Sequence, residues 1–234
     1  SRGLGDVYKR QHYRSRENLL EGFVMESMRQ MMTVLQRAIP DAGVWWPAET
    51  KFEILVGAVL VQNTTWTNTE TALANLRTLN LLTPETLAAA DSAVVQEAIR
   101  PSGYWRTKTI YLQTITDWFL TTDTLAESMS DTQLRVSLLG VKGVGEETAD
   151  DILLYAYHRG VFIYDAYARR LLAAAGWGDY TTYAQARKAC DERIRSEALS
   201  VEEYGLLHGL IVQAGKAARA AGGWQTYWPA IAGN

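Results

Sequence analysis

The sequence predicts an all-α fold, and three observations carry that prediction. Apolar residues recur at three and four positions through most of the chain. Pro and Gly clusters such as Arg100-Pro101-Ser102-Gly103 and Gly176-Trp177-Gly178 interrupt the pattern at intervals suited to short helices. The β-rich pieces, of which Val161 to Tyr164 is the plainest, are too short and isolated to build a sheet. With 234 residues, 47% of them hydrophobic, the chain can bury the core of one large domain or two small ones. Average helix length then implies about ten helices.

In chain order, the opening SRGLGDVYKRQ has no apolar periodicity, and Asp6 to Gln11 reads like a translated adapter end. Residues 1–11 are therefore expected to be a non-native or disordered leader. Leu19, Leu20, Phe23, Val24, Met28, Met31, Met32 and Leu35 predict a helix ending before Pro40, with its methionines as core filler. Val44-Trp45-Trp46-Pro47 then sets two tryptophans in a loop. Two readings fit: both rings pack between domains, or they form an aromatic slot for a flat, electron-poor ring.

Phe52 to Val61 is apolar on all sides, the signature of a central helix, and runs into the polar cluster Gln62-Asn63-Thr64-Thr65-Trp66. That cluster is either an exposed functional rim or a set of caps for the helix starting near Asn68. Thr83-Pro84 opens a helix through Leu87, Val94, Val95, Ala98 and Ile99. Another follows through Leu112, Ile115 and Phe119, and Ser130-Asp131-Thr132-Gln133 is a capping-box start. Beyond residue 165, helices are expected through Leu171-Leu172, from Tyr183 to Ile194, and from Glu202 to Ala221 as the last strong one.

The chemistry concentrates between Leu138 and Leu172. Val141-Lys142-Gly143-Val144-Gly145 is a tight turn between helices, where glycine permits a sharp reversal and lets another chain come close. The amides of Gly143 and Gly145, with the N–H groups opening the next helix, make an anion site that a phosphate would fit. Ala149, Ile152, Leu153, Ala156 and Tyr157 mark that helix, with acids crowding its start. Val161-Phe162-Ile163-Tyr164 leads to Asp165 at a helix start, where an aspartate taken alone is a cap.

The formal net charge of −3 argues against holding nucleic acid by bulk positive charge. A local basic face remains open through Arg100, Arg106, Lys108, Lys142, Arg169 and Arg170, each equally readable as a solvated charge. No run of about 18 apolar residues and no signal-peptide order is seen, so a cytoplasmic protein, nucleoid-associated in a prokaryote, is expected. One cysteine, Cys190, cannot make an internal disulfide or a four-cysteine iron-sulfur site.

The combined pattern of hxGhG, Thr148-Ala149, a helix and hhYDxxxRRLL resembles the helix-hairpin-helix and Gly/Pro-Asp signature of the endonuclease III superfamily of DNA base-excision glycosylases. Within it the chain looks closest to a cluster-free branch that removes 3-methyladenine, through WWP, KFEILVGAVLVQNTTWTN and the aromatic Trp66 just after QNT. The resemblance implies two helical domains with a cleft between them: a six-helix domain over 43–159, and 12–42 joined to 160–234. It implies that Asp165 is catalytic, that the hairpin residues Lys142, Gly143, Val144, Gly145 and Thr148 grip a backbone phosphate, and that Gln62 enters the gap left by an extruded base, with the adjacent Asn63 among the DNA-binding residues. Trp45, Trp46 and Trp66 would line the base pocket. Tyr104, Trp105 and Lys108, in RPSGYWRTKT, are candidates for contacting the opposite strand. Lys216, in LLHGLIVQAGK, matches a pocket-side lysine of that branch or is a surface residue. No cofactor is implied beyond a monovalent cation on hairpin carbonyls, and the expected partner of a monomeric protein is double-stranded DNA with a damaged base.

Breaking an N-glycosidic bond builds positive charge on the sugar, which a nearby carboxylate stabilises while orienting or deprotonating water. The base must first leave the duplex, hence a wedge and an aromatic pocket. An alkylated purine is cationic and leaves readily, so cation-π attraction of roughly 0.5–2 kcal/mol per face can select it. Bifunctional relatives carry a lysine in GVGxKTA where this chain has Glu147, and a carboxylate cannot form a Schiff base. A monofunctional glycosylase for alkylated purines is the reading. The alternatives are a uracil or thymine-mismatch glycosylase and a non-enzymatic DNA-binding module.

Overall fold

A computed structural model of the chain describes residues 25–42 and 46–233. The expected leader, the helical pattern from Leu19 to Val24, and Trp45 lie outside the described residues. The described residues form helices joined by turns, and no strand occurs among them.

The chain divides into two compact units. One comprises the described part of 1–43 with Tyr164–Ala198 and Leu206–Asn234; the other comprises Val44–Ile163 and Leu199–Gly205. The second is called here the hairpin unit, and the first the aspartate unit.

The hairpin unit is built around α2 (Lys51–Leu60), whose Leu55, Val56, Ala58, Val59 and Leu60 are wholly buried. An all-apolar helix can satisfy its surface only by being surrounded. Its neighbours are α3 (Trp66–Thr78), α6 (Trp105–Ala126) and α8 (Glu146–Tyr155), with α7 (Asp131–Leu139) packed on α8. The predicted single helix after Thr83 is two, α4 (Pro84–Ala89) and α5 (Ser92–Ala98). Asp91 breaks it: Ala90 is extended, and the Asp91 carboxylate accepts from the Ala93 amide, opening a new helix.

Side chains cap most of these helices, Thr50 on α2, Thr65 on α3, Thr83 on α4, Asp91 on α5 and Ser130 on α7. Ser130 and Gln133 close the predicted capping box. The starts of α6 and α8 have no side-chain cap.

In the aspartate unit, α1 (Met28–Ala38) and α9 (Ala166–Ala174) each pack on α12 (Trp224–Ala232), and α10 (Tyr183–Ser196) packs on α9. α11 (Val201–Ala220) contributes residues to both units. α12 is a helix the pattern did not disclose, since Gly222-Gly223 and the internal Pro229 read as breakers. Buried Trp228 holds it in place.

Candidate active site

In the hairpin itself, Val144 N–H donates to Val141 O at 3.0 Å, closing the turn between α7 and α8. Gly143 sits at φ +95, the left-handed region where glycine is favoured, and a Cβ there would lie 2.2 Å from Cγ of Tyr111. Gly145 differs. It is extended at φ −91, ψ −177, and a Cβ would meet nothing within 4 Å. No conformational rule requires glycine there; its bareness leaves the uncapped start of α8 open to an incoming group. Lys142 is exposed beside it, Val144 is buried, and Thr148 is buried one turn into α8.

Two side chains brace this turn from below. Thr114 Oγ1 donates to Lys142 O at 2.8 Å, and Gln62 Nε2 donates to Gly143 O at 2.9 Å and Thr148 Oγ1 at 3.0 Å. Gln62 therefore ties the turn after α2 to the hairpin. To enter a base gap it would have to leave both partners, whereas the neighbouring Asn63 is exposed at φ +54.

The expectation for Lys108 is corrected. Its side chain is 2% exposed, and its ammonium donates to Leu60 O at 2.8 Å and Ser102 O at 2.7 Å. Both partners are backbone carbonyls inside the unit, so it is not a strand contact. Burial lowers its pKa to about 8. Tyr104, by contrast, is 70% exposed and left-handed at φ +46, a conformation costing about 1–2 kcal/mol for a residue with a Cβ. Next to it Trp105 stacks under the guanidinium of Arg106, 3.8 Å from ring centre, with that of Arg100 at 5.8 Å.

Trp46 and Trp66 meet edge to face with centroids 5.3 Å apart, and Trp46 lies 5.0 Å from Tyr155. Gly57 lets Trp46 lie flush on α2, since a Cβ there would stand 3.4 Å from the indole. Trp46 is buried, while Trp66 and Tyr155 are half-buried. Sequence reasoning missed Tyr155, for a lone tyrosine at the end of an amphipathic helix carries no signal of its own.

In the aspartate unit, Asp165 is the N-cap of α9, with Oδ1 accepting from the Ala168 amide at 2.7 Å. Its side chain is nearly buried, and Oδ2 lies 4.0 Å from Nε2 of His208 on α11. Burial pushes the His208 imidazole down to about 3, which favours its neutral form beside the carboxylate at ordinary pH. His208 is a second residue the sequence reading overlooked, its signal being one histidine in the apolar run Leu206-Leu207-His208-Gly209-Leu210. Arg169 donates to Tyr164 O at 2.8 Å, bracing the loop before Asp165, and Arg170 is exposed. Lys216 is exposed on α11, after Gly215, where a Cβ would lie 2.2 Å from the Tyr167 ring.

A hairpin with an open helix start, and an aspartate capping the helix after the next loop, are the two parts of a recognised repair architecture. Residues 56–196 match the HhH-GPD superfamily of base excision DNA repair proteins, and the chain belongs to that family. It is a DNA glycosylase of base excision repair. A Methanocaldococcus jannaschii protein carrying the provisional name of DNA repair glycosylase is 37% identical over 175 residues, 72% of this chain and 78% of that one. Endonuclease III of Sulfolobus acidocaldarius is 25% identical over 185 residues, 78% of this chain and 82% of its own. Among solved structures, the H. pylori 3-methyladenine DNA glycosylase bound to 1,N6-ethenoadenine is similar with TM-score 0.68 and 27% identity, over 80% of this chain and 96% of that one. No helix among the described residues is long and apolar enough to cross a membrane.

Proposed function

We propose that this glycosylase hydrolyses the N-glycosidic bond of alkylated purines such as 3-methyladenine, flipped out of double-stranded DNA, without a lyase step. The observation that carries this is the cluster of Trp46, Trp66 and Tyr155, three electron-rich rings packed together. A purine alkylated on a ring nitrogen is positively charged, and such rings attract it while gaining less from a neutral pyrimidine. The likeness to a 3-methyladenine glycosylase supports the same substrate class.

Asp165 is the catalytic carboxylate. Its Oδ1 is fixed by the α9 amide, which orients the group, and its charge stabilises the cationic sugar as the base departs and directs the attacking water. The leaving group already bears positive charge, so little general-acid help is needed. The Gly143 and Gly145 amides and the open start of α8 hold a backbone phosphate, with Lys142 beside them and Thr148 bracing the turn through Gln62. Asn63 and Tyr104 are the exposed wedge candidates. Glu147, exposed at the position where lyase-competent relatives carry lysine, offers no amine for a Schiff base.

The test is mass analysis of bases freed from methylated, deaminated and oxidised duplexes. Release of 3-methyladenine from methylated DNA, together with failure of borohydride to trap a covalent adduct on abasic DNA, is the expected result. Uracil release without alkylpurine release would overturn the substrate assignment, and a high-yield trapped adduct would overturn the monofunctional one.

A further inference from the structure

We propose that Lys108 is a positioning residue for duplex engagement, whose buried ammonium locks the Tyr104 loop to the end of α2 and so fixes the spacing between Tyr104 and the Gln62-Asn63 turn. The inference rests on the reading of the chain as a glycosylase that opens duplex DNA.

Leu60 is the last residue of α2, where carbonyls lack an intrahelical partner, and Ser102 closes the short 3₁₀ turn Arg100–Ser102. Their two carbonyl oxygens converge on one Nζ, at 2.8 and 2.7 Å. A cation at a helix C-terminus is favourable in charge as well as in hydrogen bonding. If Lys108 were there only to fill space, methionine would do so without a desolvated charge. Burial does depress the amine, to about 8, so the protein tolerates an unfavourable placement to retain these two bonds.

The loop they hold needs holding. Gly103 and Tyr104 are consecutive left-handed residues, at φ +70 and φ +46, and α6 starts with no side-chain cap. The Lys108 amide makes only the first regular bond of α6, to Tyr104 O at 2.9 Å, as any residue there would; it is the ammonium, donating to Ser102 O, that holds the loop. The product of this strain is a tyrosine held 70% exposed. On the other side, the chain leaving Leu60 reaches Gln62 two residues later, itself bonded to the hairpin. Lys108 thus ties the Tyr104 loop directly to the end of α2 that leads into the Gln62-Asn63 turn, within the hairpin unit.

The experiment uses the full chain and a duplex with 2-aminopurine opposite a tetrahydrofuran abasic analogue, reading affinity by anisotropy and base unstacking by fluorescence. K108M is expected to lose about tenfold in affinity and most of the fluorescence rise, and K108Q, which keeps an uncharged donor, to be intermediate. I115V, a fully buried change on the same helix that touches neither carbonyl, controls for lost stability and should keep the wild-type signal. Y104A should reproduce the K108M loss, and the double variant should be no worse than either single change, because both remove one device. Wild-type fluorescence in K108M, or in K108Q if K108M does not fold, overturns the proposal. Losses that simply multiply in the double variant do so too. Failure of wild type and I115V to unstack the duplex would instead refute the DNA-opening reading on which the inference stands.

Discussion

The starts of α8 and α9 present the same physical feature, a helix N-terminus with its unpaired amides and partial positive charge, and the protein treats them in opposite ways. At α9 the anion is internal: Asp165 covers the end and is bonded to Ala168. At α8 the cap is Gly145, with no side chain and nothing near where one would stand. The carboxylate acquires a fixed orientation from its helix, whereas the other end carries no side chain of its own. On the function proposed above, the internal anion serves chemistry at one end and the open end receives a backbone phosphate at the other.

The largest effect that would sharpen this contrast is at the occupied end. D165N keeps a good cap but removes the charge, so base release should fall at least about 10²-fold with little change in thermal stability. D165A should add a stability loss of about 1 kcal/mol, read from urea denaturation. Equal stability in both variants would mean that the cap is not what orients the group.

At the open end, G143A forces a Cβ to 2.2 Å from the Tyr111 ring in a left-handed position. Duplex affinity should drop by about tenfold or more, with about 1–2 kcal/mol of strain visible in denaturation. A milder change tests the same site without strain. The pH dependence of stability comes next: the buried His208 is depressed to about 3 from an ordinary value near 6.5, so the unfolded chain binds its proton in that window and the folded one does not. Stability should therefore fall as pH drops from about 6.5 towards 3, and H208Q should flatten that dependence in melts taken from pH 7 to pH 4. The smallest effect belongs to G145S, which places an ordinary cap on α8. Stability should rise by a few tenths of a kcal/mol while duplex affinity falls several-fold, the two moving in opposite directions. If both improve, the open start of α8 does not receive the phosphate.

Much of this was legible in the residue order because it depends on local rules. Periodicity located α2, α8 and α11, and cap chemistry marked Thr83-Pro84 and the Ser130 box. Asp91 splits the helix predicted after Thr83 because its side chain caps Ser92–Ala98, a local signal that the apolar spacing on either side masks. α12 was hidden because Pro229 and two glycines look like punctuation, while burial of Trp228 is a matter of tertiary packing. Lys108 misled for a similar reason, a basic residue among aromatics suggesting DNA until its two carbonyl partners are seen.

What the chain declares by itself is the all-helical class, the hairpin between two helices and the aspartate at a helix start, since spacing, glycine and capping act over a few residues. Tertiary structure alone decided which polar groups face inward. Gln62 reaches residues more than 80 positions away, Tyr155 joins the tryptophans, and His208 comes within 4.0 Å of Asp165. Those meetings depend on which helix faces are buried together, and no local pattern encodes a partner that distant in the chain.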